Sequence, residues 1–281
     1  MKRWDDLRLF LSVARHGTLA GAASELGFNA STLHRRLAEL EGDFGVVLFE
    51  KSPRGYRLST AGEALLSRTE EVEEAVFAAQ RAVLGNDQQV SGEVRFTLPP
   101  DLIPAIRPHL NAFRAVCGGI RPVLIGEDAH LDLGRTADIA LRASQTPPEA
   151  AVGRKIATLG WCRYTSATAG GEALPWLHYS QSCQLAPVKW RRQVFGATEP
   201  LMLVNTVHSM HLMLPGTGAQ ALLPCFLGDP DPRLRRVSER IPATTTLWLL
   251  IHADLRRAAR VRALVDFLVP RLLGERELFE G

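Results

Sequence analysis

Much is missing from this sequence, and each absence narrows what it can be. Four cysteines stand among 281 residues, Cys117, Cys162, Cys183 and Cys225, with no C-x-x-C pair among them. That scarcity excludes a disulfide framework and a zinc finger, and leaves reduced thiols or a redox switch using Cys183 or Cys225. No apolar run approaches the roughly 18 residues of a membrane span. The opening MKRWDDLRLF lacks the apolar centre and small-residue cleavage site of a signal peptide, so a cytoplasmic protein with no membrane partner is expected. The formal net charge is only +3, so any nucleic-acid surface must be local. No G-x-S-x-G, H-E-x-x-H or Walker loop occurs. His208 and His211 could share a helix face, but no third ligand lies within reach. No enzyme, metal or cofactor is expected.

What is present is periodic. Leu7, Phe10, Leu11 and Ala14 fall at i, i+3, i+4 and i+7, one face of a helix that Asp5 can cap and Gly17 can stop. Thr18 can cap a second helix, carrying Leu19, Ala22, Ala23 and Leu26 and closed by Gly27. Asn29 can cap a third, with Leu33, Leu37, Leu40 and Phe44 as its buried stripe. Ser31 and Arg35 lie opposite that stripe, flanked by Thr32 and His34. Two helices joined by the tight Gly27-Phe28-Asn29 turn fit a helix-turn-helix, whose second helix meets base edges in the major groove. Up to here an ordinary three-helix bundle fits as well.

The next segment favours DNA. Residues 48–51 and 56–58 read as two short strands around the turn Ser52-Pro53-Arg54-Gly55, a basic-tipped wing. Arg35 suits a guanine edge, Arg54 an adjacent minor groove, and Lys51 and Arg57 phosphates. The expected DNA-contacting set is Asn29, Ala30, Ser31, Thr32, His34, Arg35, Arg36, Lys51, Arg54 and Arg57. Thr60-Ala61-Gly62-Glu63 reads as the capping box of a long helix. Along it Leu65, Val72, Val76, Ala79 and Val83 suggest a dimer seam. Beyond Ser91, strands at 93–97, 123–125, 136–142, 201–204 and 247–251 alternate with helical segments at 102–116 and 258–268. That order predicts an α/β domain with a largely parallel sheet.

Residues 7–66 carry a specific combination: Ala22-Ala23-x-x-Leu26, Leu37-x-x-Leu40-Glu41, Gly45-Val46-x-Leu48-Phe49-Glu50-Lys51, and Leu58-Ser59-Thr60-Ala61-Gly62-Glu63. In this the sequence resembles the LysR-type transcriptional regulators. It departs from them where Asn29-Ala30-Ser31 replaces the family's Ser-Gln-Pro and His34 replaces a second serine. Those positions bear on operator preference, not on fold. Residues 137–142, 216–224 and 248–256 resemble the family's effector domain more weakly, and the stretch after Tyr164 is short for it.

The resemblance implies a winged helix-turn-helix at 1–60, a linker and dimerisation helix at 61–88 and an effector domain at 89–281. That domain would be of periplasmic-binding-protein type, with one subdomain at about 89–163 and 251–281 and the other at about 164–250. It also implies a homodimer or homotetramer on an imperfectly palindromic operator. A small effector, such as a carboxylate or aromatic acid, would lie at the strand ends near Thr97, Leu98, Pro99, Pro100, Asp101, Arg142, Thr206, His208 and Ser209. Asp101, if it pointed inward, would oppose an anion. Two alternatives stay open. One is a regulator that answers to cysteine oxidation. The other is a small-molecule binding protein or enzyme with an incidental helical N-terminus.

Overall fold

The computed structural model describes residues 4–53, 55–85, 87–128, 133–146, 151–170, 174–181, 183–196 and 198–281. Two compact units, Met1–Gln80 and Arg81–Gly281, make up the chain.

The first unit holds α1 (Trp4–His16), α2 (Leu19–Leu26) and α3 (Ala30–Phe44), then the antiparallel hairpin β1 (Phe49–Ser52) and β2 (Gly55–Leu58). Most of α4 (Thr60–Gly85) follows. The apolar periodicity is realised directly. Leu9, Phe10 and Val13 of α1, Ala22 and Ala23 of α2, and Leu33, Leu37 and Leu40 of α3 meet Leu48 and Phe49 in one core. Each buried leucine contributes about 2 kcal/mol. Thr18 Oγ1 accepts from Gly21 N (3.2 Å), which caps α2. Gly27 ends that helix at φ 70°, a left-handed turn that a side chain would strain.

Three details differ from the sequence expectation. Asp5 lies inside the first turn of α1 instead of capping it. Phe44 is 41% exposed, because the last turn of α3 runs past the edge of the core. Ser59, not Thr60, opens α4: its Oγ accepts from Gly62 N (3.0 Å).

The second unit is built on two five-stranded sheets. Its elements are β3 (Gly92–Leu98), a 3₁₀ turn (Pro100–Leu102), α5 (Ile103–Val116), β4 (Ile120–Gly126), β5 (Ile139–Ser144), β6 (Ala151–Leu159), β7 (Trp161–Ser166) and β8 (Trp176–Tyr179). They continue with α6 (Ala186–Phe195), β9 (Pro200–Val204), α7 (Val207–Met213), β10 (Gln220–Pro224), α8 (Cys225–Gly228), β11 (Leu234–Arg236), β12 (Thr245–His252), α9 (Ala259–Gly274) and α10 (Arg276–Glu280).

The strand orders are β4-β3-β5-β12-β6 and β11-β7-β10-β8-β9. In the first sheet β12 alone runs against its neighbours, and in the second β7 does. The chain passes from the first sheet to the second at Gly160 and returns between Arg236 and Thr245. All of β12 therefore belongs to the first sheet, which it joins before the expected residue 251. The alternation of strand and helix places β3, β4, β5, β9 and β12, but not β6, β7, β8, β10, β11 or α6.

Candidate nucleic-acid interface and effector cleft

The α3 surface is built by its cap. Asn29 has extended backbone angles, and its Oδ1 accepts from Thr32 N (2.8 Å) and from Ser31 Oγ (2.8 Å). The side chain expected at phosphate is therefore engaged in starting the helix. Ala30, Ser31, His34 and Arg35 are exposed beside it, while Thr32 is half-buried. Arg35 is open to solvent, with Glu39 at 3.9 Å, and such exposed pairs contribute little.

Arg36 differs. Its Nη2 donates to Asp6 Oδ1 (2.6 Å), and its guanidinium lies 5.6 Å from the Phe28 ring centroid. It braces α3 against α1. Lys51 and Arg57 are exposed on β1 and β2. Arg54, the expected wing tip, lies outside the described residues.

Two polar ties fix this surface that spacing alone did not announce. Glu41 Oε1 accepts from Leu48 N (2.7 Å) and Phe49 N (3.1 Å), so α3 holds the start of the wing. Arg15 grips Glu73 through two bonds, Nη2 to Oε2 (2.7 Å) and Nη1 to Oε1 (3.2 Å), which fixes α4 against α1.

In the second unit the expected effector residues gather where β3, β4 and β5 end. Thr97 and Leu98 are fully buried, and Pro99 and Pro100 half-buried. Arg142 is buried and committed: Nη2 donates to Thr97 Oγ1 (2.7 Å) and Nη1 to the Glu127 carbonyl. Burial lowers its pKa, opposed by Asp128, Glu127 and Asp101 nearby.

Asp101 is 7% exposed, and among the described residues its Oδ1 has no hydrogen-bond partner. Burial pushes its carboxyl up to about 7, against a bond from its own backbone N–H, with Asp128 adding to the rise. Burial likewise raises Asp128, which Arg142 and His208 oppose. Thr206 caps α7, accepting from Ser209 N (3.0 Å) and donating to Ser209 Oγ (2.9 Å); His208 is half-buried. His211 turns away to Asp231 Oδ2 (2.8 Å).

One further cluster escaped the sequence. Cys162 Sγ and Cys225 Sγ lie 3.5 Å apart, both buried. Their bond favours the Cys225 thiolate, lowering it to about 7, while the same bond and burial push Cys162 up. Tyr164 Oη donates to Asp229 Oδ1 (2.7 Å) beside them. Cys183, named with Cys225 as an expected switch, is instead influenced by burial and the Leu185 backbone, and its thiol is raised. The two cysteines that meet are separated by a chain reversal: antiparallel pairing sets Leu223 opposite Cys162.

Comparison with known proteins agrees with this geometry. Residues 4–63 match the family described as bacterial regulatory helix-turn-helix protein, lysR family. A probable hydrogen peroxide-inducible genes activator of Mycobacterium xenopi is 40% identical over 106 residues, 38% of this chain and 56% of that protein. The chain thus spans little more than half of that relative. A probable HTH-type transcriptional regulator, LtrA of Klebsiella pneumoniae, is 24% identical over 290 residues, covering 94% and 93% of the two chains. The full-length structure of the Vibrio cholerae virulence activator AphB, a member of the LTTR protein family, superposes with a TM-score of 0.61. That match covers 98% of this chain and 99% of the other at 18% identity, and it speaks for the fold.

Proposed function

The chain is a LysR-type protein, and on that premise we propose that it is a sequence-specific DNA-binding transcriptional regulator, not an enzyme, controlled by a small molecule in its second unit. The observation that carries this reading is the exposed N-terminal face of α3. Ser31, His34 and Arg35 project there from a helix whose opposite stripe is buried. Arg35 reads a guanine edge, Ser31 and His34 make short-range base contacts, and Lys51, Arg54 and Arg57 of the wing meet phosphate or minor groove. Asn29, Ala30 and Thr32 set the start of that helix. Arg36 serves as a brace.

The protein acts in the cytoplasm as a homodimer or homotetramer. Among the described residues no helix is long and apolar enough to cross a membrane. Val72 and Val83 of α4 are 43% and 75% exposed, and with Val76 and Ala79 they form the apolar stripe through which two copies pair. Two copies read two half-sites, so the operator is an imperfect palindrome with centres about 10 base pairs, or a multiple, apart. The effector lies where β3, β4 and β5 end, facing Asp101, Arg142 and the Thr206–Ser209 turn. Footprinting of the full chain on DNA flanking its own gene tests the proposal. Two protected half-sites are expected; no protection above unrelated competitor DNA would refute it.

A second reading is favoured by one observation, the 3.5 Å between Cys162 Sγ and Cys225 Sγ. Here the stimulus is a hydroperoxide. The two thiols lose two electrons and two protons and form one S–S bond, while the peroxide is reduced to an alcohol and water. Mass spectrometry after peroxide treatment decides. A Cys162–Cys225 linkage that alters the footprint supports this reading; an unchanged footprint, or no linkage, removes it.

A further inference from the structure

We propose that the cleft at the ends of β3, β4 and β5 takes a compact cation, an ammonium or guanidinium group held by Asp101, and not a carboxylate. This rests on reading that cleft as the effector site.

The case begins with donors. An anion needs N–H groups, and a turn leading into a helix usually supplies them. Along residues 99–104 the supply is thin. Pro99, Pro100 and Pro104 have no N–H. Leu102 N donates to the Pro99 carbonyl (3.0 Å), and Ile103 N to the Pro100 carbonyl.

Arg142, the one arginine the sequence offered for an anion, is committed to Thr97 and to the Glu127 carbonyl. Across the cleft, Thr206 already takes Ser209 N. Every donor counted here already has a partner.

The acceptors are the reverse. Asp101 Oδ1 is enclosed and has no partner among the described residues. A buried carboxylate oxygen without a donor is costly, and such atoms mark a group the protein is built to receive. The charged and titratable groups around Asp101 and Asp128 are Glu127, Arg142, His208, Tyr179 and Cys183. Three carboxyls, Asp101, Asp128 and Glu127, stand around one committed arginine, with His208 beside Asp128. An incoming carboxylate would meet like charge, whereas an ammonium would supply the missing donor.

A small cationic head can reach a carboxyl as enclosed as that of Asp101, which is 7% exposed. Binding it draws Asp101 to the ionised form, so a proton leaves the site as the cation enters.

Calorimetry and thermal shift on the full-length protein test this, with ethylammonium and benzylammonium chloride against sodium acetate and benzoate at matched ionic strength. The ammonium salts are expected to bind and raise Tm; the carboxylates are not. Calorimetry near neutral pH in two buffers of different ionisation heat should report proton release. Asp101→Asn should cut ammonium affinity at least tenfold without lowering the Tm of the free protein, which a purely structural aspartate would do. Asp128→Asn should weaken binding less. Binding of carboxylates in place of ammonium, binding of neither, or no proton release would overturn the proposal. So would equal ammonium binding by a folded Asp101→Asn protein. Gel shifts on the same preparation keep the outcomes apart: operator binding without ammonium binding removes this inference alone.

Discussion

Adjacent arginines on α3 should behave in opposite ways. Arg35→Ala removes an exposed cation whose only nearby acid among the described residues is Glu39 at 3.9 Å, so nothing in the free protein compensates the loss. A bidentate contact with guanine contributes roughly 1–3 kcal/mol of discrimination. At about 1.4 kcal/mol per tenfold, Arg35→Ala should raise the operator Kd by roughly 5- to 150-fold per half-site. It should also flatten the preference at the contacted base pair.

Arg36→Ala removes a bond of 2.6 Å to Asp6 and a cation–π contact with Phe28, both inside the folded unit. Its cost is stability, roughly 1–2 kcal/mol for a partly buried charge-assisted pair. Operator Kd should change by less than about threefold while the protein is folded, since a shift under roughly 0.7 kcal/mol is all a displaced brace should cause. Fluorescence anisotropy on the footprinted operator and on single-base variants, at several salt concentrations, measures both, with urea unfolding alongside. The reasoning is refuted if folded Arg36→Ala loses affinity and discrimination as Arg35→Ala does, or if Arg35→Ala changes neither.

The remaining predictions follow from the same geometry. Arg57→Ala should weaken all sequences alike and reduce the salt slope by about 0.9 if it neutralises one phosphate; an unchanged slope denies the contact. Gly62→Ala would place a Cβ 2.2 Å from the Leu48 carbonyl oxygen, so urea unfolding should show a loss of roughly 1–3 kcal/mol. Asn29→Ala should cost about 1 kcal/mol through the lost cap, and Asn29→Ser much less; equal losses would remove the cap from the account.

Asp101 sets a pH dependence. Its folded carboxyl near 7 lies above the unfolded value of roughly 3.9, so folding favours the protonated form. That contribution is present below about pH 4 and is lost as pH rises through about 7, at most ~4 kcal/mol at 1.36 kcal/mol per pH unit. Asp101→Asn should therefore gain stability relative to wild type between those limits, and a constant difference across them would contradict the burial argument.

Much of the first unit could be read in advance because its signals are local. Thr18 and Asn29 cap their helices as their spacing suggests, and the apolar stripes of α1 and α2 meet where periodicity puts them. The errors were local too. Ser59 and Thr60 are adjacent hydroxyls, and only the backbone decides which one stands outside the helix.

The second unit hid more. Gly153, Arg154 and Lys155 interrupt any alternation in β6, whose membership is decided by pairing with β12 almost a hundred residues later. Pro187 reads as a turn but begins α6. In the proposed effector cleft the residue types were legible and their commitments were not. Nothing in the sequence says that Arg142 reaches back to Thr97 across neighbouring strands, which leaves Asp101 as the unanswered group. The Cys162–Cys225 contact is equally non-local.

The division of labour on α3 has an evolutionary consequence. Asn29, Arg36 and Glu41 fasten the helix to its own start, to α1 and to the wing, while among the described residues Ser31, His34 and Arg35 fasten nothing beyond their own helix and its cap. Mutations at the second set can drift through many residue types at little cost in folding, whereas the first set is held in place. New operator preferences can thus arise by single exposed substitutions on an unchanged frame. The Asn29-Ala30-Ser31 opening, unusual for a LysR-type helix, keeps the capping oxygen and alters the exposed positions beside it.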